Sequence, residues 1–148
     1  MHDSGPLVGI QTEKLLEVIQ KSAVLLKLYE SLIMKAPTEA DKKKLQQMHA
    51  ESSKALSDSA SLYTKLTGSP PTLLPVTVPF FSKYVDGIEM AILYNIYISR
   101  LYVLLMSTVV PDLLSLVLRI SSEKNAQAAN LNFIYAAHLG GKEELIHL

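Results

Sequence analysis

Apolar residues recur every three or four positions in four stretches of the chain, a spacing that predicts four helices. Over residues 7–35, Leu15, Val18, Ile19, Leu25, Leu26, Leu32 and Ile33 share one helical face, and Ser22 and Tyr29 fall on it too. Lys14, Glu17, Lys21 and Lys27 lie away from the centre of that face. Ala36-Pro37 ends this helix, because proline disfavours helical geometry in the residue before it. Thr38 then caps a second helix over about 39–66, with Asp41 in its first turn and Thr67-Gly68 as its stop. Its frame is Leu45, Met48, Ala55, Leu62 and Leu66. Glu51, Lys54 and Asp58 form a polar stripe beside it, with Glu51 and Asp58 assigned to the inward side.

Residues 69–79 hold Pro70, Pro71, Pro75 and Pro79, which excludes both a helix and a central strand. A dozen extended residues reach about 35 to 40 Å, enough to cross a bundle from end to end. Leu73, Leu74, Val76 and Val78 suggest a segment laid against the bundle surface. The third helix, about 80–108, turns Ile88, Ala91, Ile92, Asn95, Ile98, Tyr102 and Leu105 inward. Leu93, Tyr94, Tyr97, Leu101, Val103 and Leu104 occupy its other faces, and a helix apolar all round calls for a cover on every side. That cover is the crossing segment, a second subunit or both. Asp112 is expected to cap a fourth helix with the face Leu113, Leu116, Ile120, Glu123, Gln127, Asn130, Ile134 and Ala137. For the tail, 139–148, the sequence leaves a short helical turn and a frayed end both open.

The two halves repeat one another. Ser22 stands seven residues before Tyr29 and Asn95 seven before Tyr102, an offset of 73. Glu51 and Tyr63 are matched by Glu123 and Tyr135 at an offset of 72, and each glutamate follows an apolar residue, Met48 or Ile120, by three. Four matched positions in order point to a duplicated helix pair, with residues 10–68 as one copy and 80–138 as the other.

On these residues the chain resembles the ferritin-like or rubrerythrin-like carboxylate bundles, over about residues 10–138. The resemblance implies a four-helix bundle of two hairpins joined by a crossover, with one Glu from one helix of each hairpin and Glu-x-x-His from the other, holding two iron or manganese ions. Here the corresponding positions are Ser22, Glu51 and Lys54 in the first repeat and Asn95, Glu123 and Ala126 in the second. Two carboxylates remain of six ligand positions, so the expectation is a degenerate site with no metal and no other cofactor. Two facing carboxylates need compensation, and Lys54, in place of a lost histidine, is expected to supply the central cation. The expected buried charge cluster is Glu51, Lys54, Asp58 and Glu123, with Ser22 and Asn95 giving neutral hydrogen bonds.

Composition narrows the function further. The 148 residues suit a single domain, the formal net charge is zero and cysteine is absent. Disulfides, thiolate metal sites and cysteine nucleophiles are excluded, and nothing in the charge favours nucleic acid. The first six residues lack a signal-like core, so a cytoplasmic location is expected. Residues 88–110 are apolar enough to approach a membrane span, but Arg100 at mid-stretch costs about 2.5 to 3.5 kcal/mol on insertion scales, which favours a buried bundle helix. His49 lies about 200° from Glu51 and points outward. His2, His138 and His147 read as surface residues, Lys42, Lys43 and Lys44 as a solvated face, and Tyr29, Tyr63, Tyr102 and Tyr135 as core. No glycine-rich phosphate loop or nucleophile elbow is present.

Three functions fit this reading. The first is a non-catalytic structural or interaction protein, a homodimer through the third helix. The second is a divergent metal oxidase or peroxidase using Glu51, Glu123 and further ligands. The third is a binder of a small apolar ligand in the bundle centre.

Overall fold

The computed structural model describes the backbone of residues 5–106 and 111–147 and the side chains of residues 12–105 and 114–139. Four helices account for it, α1 (Gly5–Lys35), α2 (Glu39–Thr67), α3 (Tyr84–Met106) and α4 (Pro111–His147), with no strand among the described residues. The chain is an all-α four-helix bundle. The Thr38 side chain accepts from the Asp41 N–H at 3.1 Å at the start of α2. Gly68, at φ 80°, closes the same helix by donating to the Thr64 carbonyl at 2.7 Å. Two boundaries differ from expectation. The third helix begins at Tyr84 instead of 80, and the fourth already at Pro111, whose fixed φ suits a first helical position. The side chains of Asp112 and Leu113 lie outside the described residues, as do those of His2 and His147. Helix α4 carries the tail on to His147.

Helix α1 packs beside α2 and α3, and α4 beside α3 and, most lightly, α2, which leaves α1 diagonal to α4 and α2 diagonal to α3. Side-chain pairs fix the directions. Tyr84 and His138 both bond Asp41 at one end, whereas Tyr102 bonds Ser59 and Arg119 bonds Asp58 toward the other. Helices α2 and α3 therefore start at the same end. The segment 68–83 must then cross the length of the bundle, and it does so along α1. The Gln20 side-chain amide bonds both backbone groups of Leu74, at 2.9 and 3.2 Å, and Lys35 lies 4.4 Å over the Phe81 ring. Fifteen residues of helix from Gln20 to Lys35 rise about 22 Å, and seven extended residues from Leu74 to Phe81 cover about 23 Å. The strap thus runs nearly straight.

Gly87 lets it dock. A Cβ there would stand 2.7 Å from both Leu32 Cδ2 and Phe81 Cε2, so the bare backbone of α3 is what admits the Phe81 ring against α1. Gly87→Ala is expected to cost about 1 to 3 kcal/mol by overpacking. Equilibrium urea denaturation measures this directly, and an unchanged midpoint would mean that the strap yields freely.

The core runs the length of the bundle through Leu15, Leu25, Leu28, Leu32, Leu45, Ile88, Ile98, Ile120 and Leu131, all at most 1 % exposed. The inward faces of α1 and α3 are largely those expected from sequence, but Leu28 and Leu101, the latter assigned to an outer face, are buried as well, and Leu26, Ile33 and Ile92 are only half-buried. Those of α2 and α4 keep much of the expected frame, Leu45, Met48, Ala55 and Leu62 on α2 and Ile120, Gln127 and Ile134 on α4, but several positions between are shifted by one residue. On α2 the buried set is Leu45, Met48, Ser52, Ala55, Ser59 and Leu62, in place of a face containing Glu51 and Asp58. On α4 it is Val117, Ile120, Ser121, Lys124, Gln127, Leu131 and Ile134, while Asn130 and Ala137 are exposed.

By length and composition, one described helix would reach across a membrane, Tyr84–Leu105, with mean hydropathy 1.4. Its inward positions are packed as core. Its outer residues Leu93, Tyr97, Val103 and Leu104 are 42 to 59 % exposed, so the strap covers only part of the apolar surface that the sequence reading expected to be covered.

Candidate functional site: a polar layer across the bundle

With Ser52 buried in place of Glu51 and Lys124 in place of Glu123, four helices meet in one buried polar layer. Tyr29 on α1 is its hub, a fully buried side chain whose hydroxyl donates to Gln127 Oε1 at 2.8 Å and accepts from Asn95 Nδ2 at 2.8 Å. Burial raises the Tyr29 phenol above its ordinary range, so the hydroxyl keeps its proton. Gln127 Oε1 also accepts from Ser52 at 3.1 Å, and its Nε2 donates to Glu51 at 3.2 Å. Asn95 spends its amide on Tyr29 and on the Ala91 carbonyl, leaving its buried Oδ1 without a partner.

Lys124 is the charged member of the layer. It is fully buried, and its Nζ donates to Ser52 Oγ at 2.7 Å. Burial pushes its pKa down to about 8, against the opposing pull of Glu123 and Glu51. Among the described residues neither carboxylate pairs with it within 4 Å; both are half-buried, and Glu51 reaches across to α4 through Gln127. The layer is thus a buried amine held by a neutral hydroxyl, with two carboxylates near enough to be felt and too far to pair. A second tyrosine repeats the diagonal reach of the first. Tyr102 on α3 bonds Ser59 on α2, as Tyr29 on α1 bonds Gln127 on α4, and burial pushes the Tyr102 phenol up to about 12.

The residues singled out from sequence divide sharply. Ser22 and Asn95 are buried, as expected. Glu51 and Glu123 do not meet at the axis, and the expected cluster of Glu51, Lys54, Asp58 and Glu123 does not form. The Lys54 side chain is 67 % exposed and pairs with Asp58 at 3.1 Å on the surface. Asp58 also accepts from Arg119 at 2.6 Å, and chiefly that hydrogen bond, then the one from Lys54, holds its carboxyl below the ordinary range. Ala126 is exposed. On α2 the physical reason is economy of desolvation, since Ser52 and Ala55 bury at small cost where Glu51 and Lys54 would each shed a full hydration shell; α4 makes no such saving, because Lys124 is buried there. A central cation does exist, but it is Lys124 on α4. The signal that locates it is the frame Val117, Ile120, Leu131, Ile134, which places Lys124 and Gln127 between two pairs of large apolar residues.

Elsewhere, His49 lies off the buried face, as its outward assignment has it, but is half-buried and bonds Glu30 at 3.1 Å. His138, assigned to the surface, is half-buried instead. It bonds Asp41 at 2.9 Å and stacks edge-on against Tyr84, whose hydroxyl bonds the same carboxylate and whose phenol is raised by burial and that charge. This cluster ties the ends of α2, α3 and α4 together. Tyr63 and Tyr135 are only partly buried. Toward the other end, α2 and α4 part around a groove of about 560 Å³ lined by Asp58, Leu62, Lys65, Leu116 and Arg119. No group of three or more His, Asp or Glu side chains among the described residues is placed to hold a metal ion.

No protein-family model matches the chain, and no curated protein sequence matches it. A solved structure is similar: a hypothetical protein from Pyrococcus furiosus, Pfu-1136390-001, aligns at a TM-score of 0.78 with 20 % identity, over 88 % of this chain and 90 % of that one. At that identity the likeness is one of fold. It supports the bundle and leaves the chemistry of the layer to be argued from its residues.

Proposed function

We propose that this chain is a non-catalytic structural or interaction protein on a ferritin-like scaffold that has lost its dimetal site, acting as a cytoplasmic homodimer. The observation that carries the proposal is Lys124. In ferritin-like bundles the layer where four inward faces meet is anionic, because it supplies carboxylates to two metal ions. Here the inward positions are Ser22 on α1, Asn95 on α3, Ser52 and Ala55 on α2, and Lys124 and Gln127 on α4. Ser52 and Ala55 are matched by Lys124 and Gln127 at the same offset of 72 that relates Glu51 to Glu123, so the repeat persists at these buried positions. An ammonium and neutral side chains do not fit two divalent ions, which need anionic oxygens and imidazole nitrogens. The parallel α2 and α3 and the lengthwise strap favour the same scaffold.

Elemental analysis of protein purified without chelator tests the loss of the site. The expected result is less than stoichiometric iron and manganese. One or two equivalents retained through gel filtration would overturn it. The homodimer rests on the exposed apolar face of α3, since monomers rarely leave such patches open beyond a few hundred Å².

A further inference from the structure

Resting on that homodimer reading, we infer that two copies pair through α3 in antiparallel, two-fold fashion, each seating Arg100 and Leu104 in a hollow on the other. The outer stripe of α3 is built as nested pairs. Asp86 and Leu104, Glu89 and Arg100, and Leu93 and Tyr97 share a midpoint within half a residue of position 95. An antiparallel partner whose two-fold axis passes that level sets Leu93 opposite the partner's Tyr97 and Glu89 opposite the partner's Arg100, twice over. A parallel partner would set Glu89 level with its own copy.

The flank matches as well as the height. Eleven residues are three helical turns, so Arg100 returns to within about 20° of the direction of Glu89. That direction is toward α4, where the Tyr135 phenol is raised by desolvation and then by the nearby Glu89 charge. A two-fold axis perpendicular to antiparallel helices keeps each residue on its own flank, so acid and base meet on both sides.

The surface that receives them is already shaped. A hollow of about 380 Å³ opens between the strap and the first half of α3, lined by Phe80, Phe81, Met90 and Leu93 together with Asp86 and Glu89. In this register it faces the end of the partner's α3 that carries an apolar Leu104 and a cationic Arg100. Phe80, 87 % exposed, gains a cover. A lining that mixes two carboxylates with apolar side chains fits a cationic and apolar insert, which favours a second copy over a membrane surface.

Charge exchange tests the register. Glu89→Arg alone sets arginine against the partner's Arg100, and Arg100→Glu alone sets glutamate against the partner's Glu89. Each is expected to weaken self-association roughly tenfold to a hundredfold, because two like-charge pairs replace two opposite ones. Mixing the two variants restores both pairs in the mixed dimer. Sedimentation of wild type, each variant and the mixture reads the outcome, with circular dichroism confirming that each variant is folded. A dimeric wild type, two weakened variants and a re-associating mixture establish the interface. A dimeric wild type whose variants stay dimeric overturns the register while sparing the homodimer. A monomeric wild type at tens of micromolar overturns both.

Discussion

Lys124→Met is expected to raise the stability of the fold at pH 7 by about 1 to 3 kcal/mol and to flatten its dependence on pH above 8. Lysine in the unfolded chain ionises near its ordinary 10.5, whereas burial lowers the folded value to about 8. Between those two values the unfolded state binds more protons than the folded one, so stability rises with pH across that window. Below pH 8 the amine is charged in both states and the desolvation cost is present in full, on the order of 3 kcal/mol for a shift of this size. The rise is cut short near pH 10. There the buried phenols of Tyr29 and Tyr102, raised by burial, hold their protons in the folded state after unfolded tyrosines have begun to lose theirs.

Methionine keeps the length of the side chain without its charge, so little cavity forms. Ser52 retains its bond to Gln127, and the half-buried Glu51 and Glu123 stay in reach of water. Urea titrations at intervals from about pH 7 to 10 check both statements. Wild type should gain stability between pH 8 and 10 while Lys124→Met should not. If Lys124→Met instead loses several kcal/mol at pH 7, the ammonium is a needed counter-charge for the two glutamates, and the balance argued here is reversed.

Gln127→Leu is expected to act in the opposite direction and cost about 2 to 4 kcal/mol. Leucine fills similar space, but the Gln127 carbonyl is the acceptor for both Tyr29 and Ser52, and its amide ties the layer to Glu51. Removing it leaves the Tyr29 hydroxyl its bond from Asn95 but gives its proton only the Met48 sulfur at 3.9 Å, a weak acceptor. Each stranded buried hydroxyl costs about 1 to 3 kcal/mol. Tyr29→Phe should be milder, because Asn95 keeps its bond to Ala91 and Gln127 its bond from Ser52. The double variant should recover part of the loss, with a coupling of about 0.5 to 3 kcal/mol. Strict additivity in that cycle would show that the layer is a set of separate bonds.

Sequence alone determined the four helices, their caps at Thr38 and Gly68, the lengthwise strap, and most of the inward faces of α1 and α3. These are local or strongly marked features. Proline excludes helix whatever surrounds it, and large apolar residues such as Leu15, Leu25, Leu32, Ile88 and Ile98 signal their face without help from neighbours. The apolar frame of α2 and α4, from Leu45 to Leu62 and from Ile120 to Ile134, was legible as well; tertiary structure alone decided which polar neighbours lie between those residues, and with them the site. Between Met48 and Leu62 the buried positions of α2 are Ser52, Ala55 and Ser59, too small to outweigh the charged stripe of Glu51, Lys54 and Asp58 in a periodicity argument. That choice also fixes which lysine is buried. Lys54 and Lys124 are chemically identical along the chain; what separates them is that Ser52 on the facing helix offers a hydroxyl to Lys124, while Lys54 turns to water and Asp58. A buried charge is tolerated by its three-dimensional surroundings, and those exist only once the helices have packed.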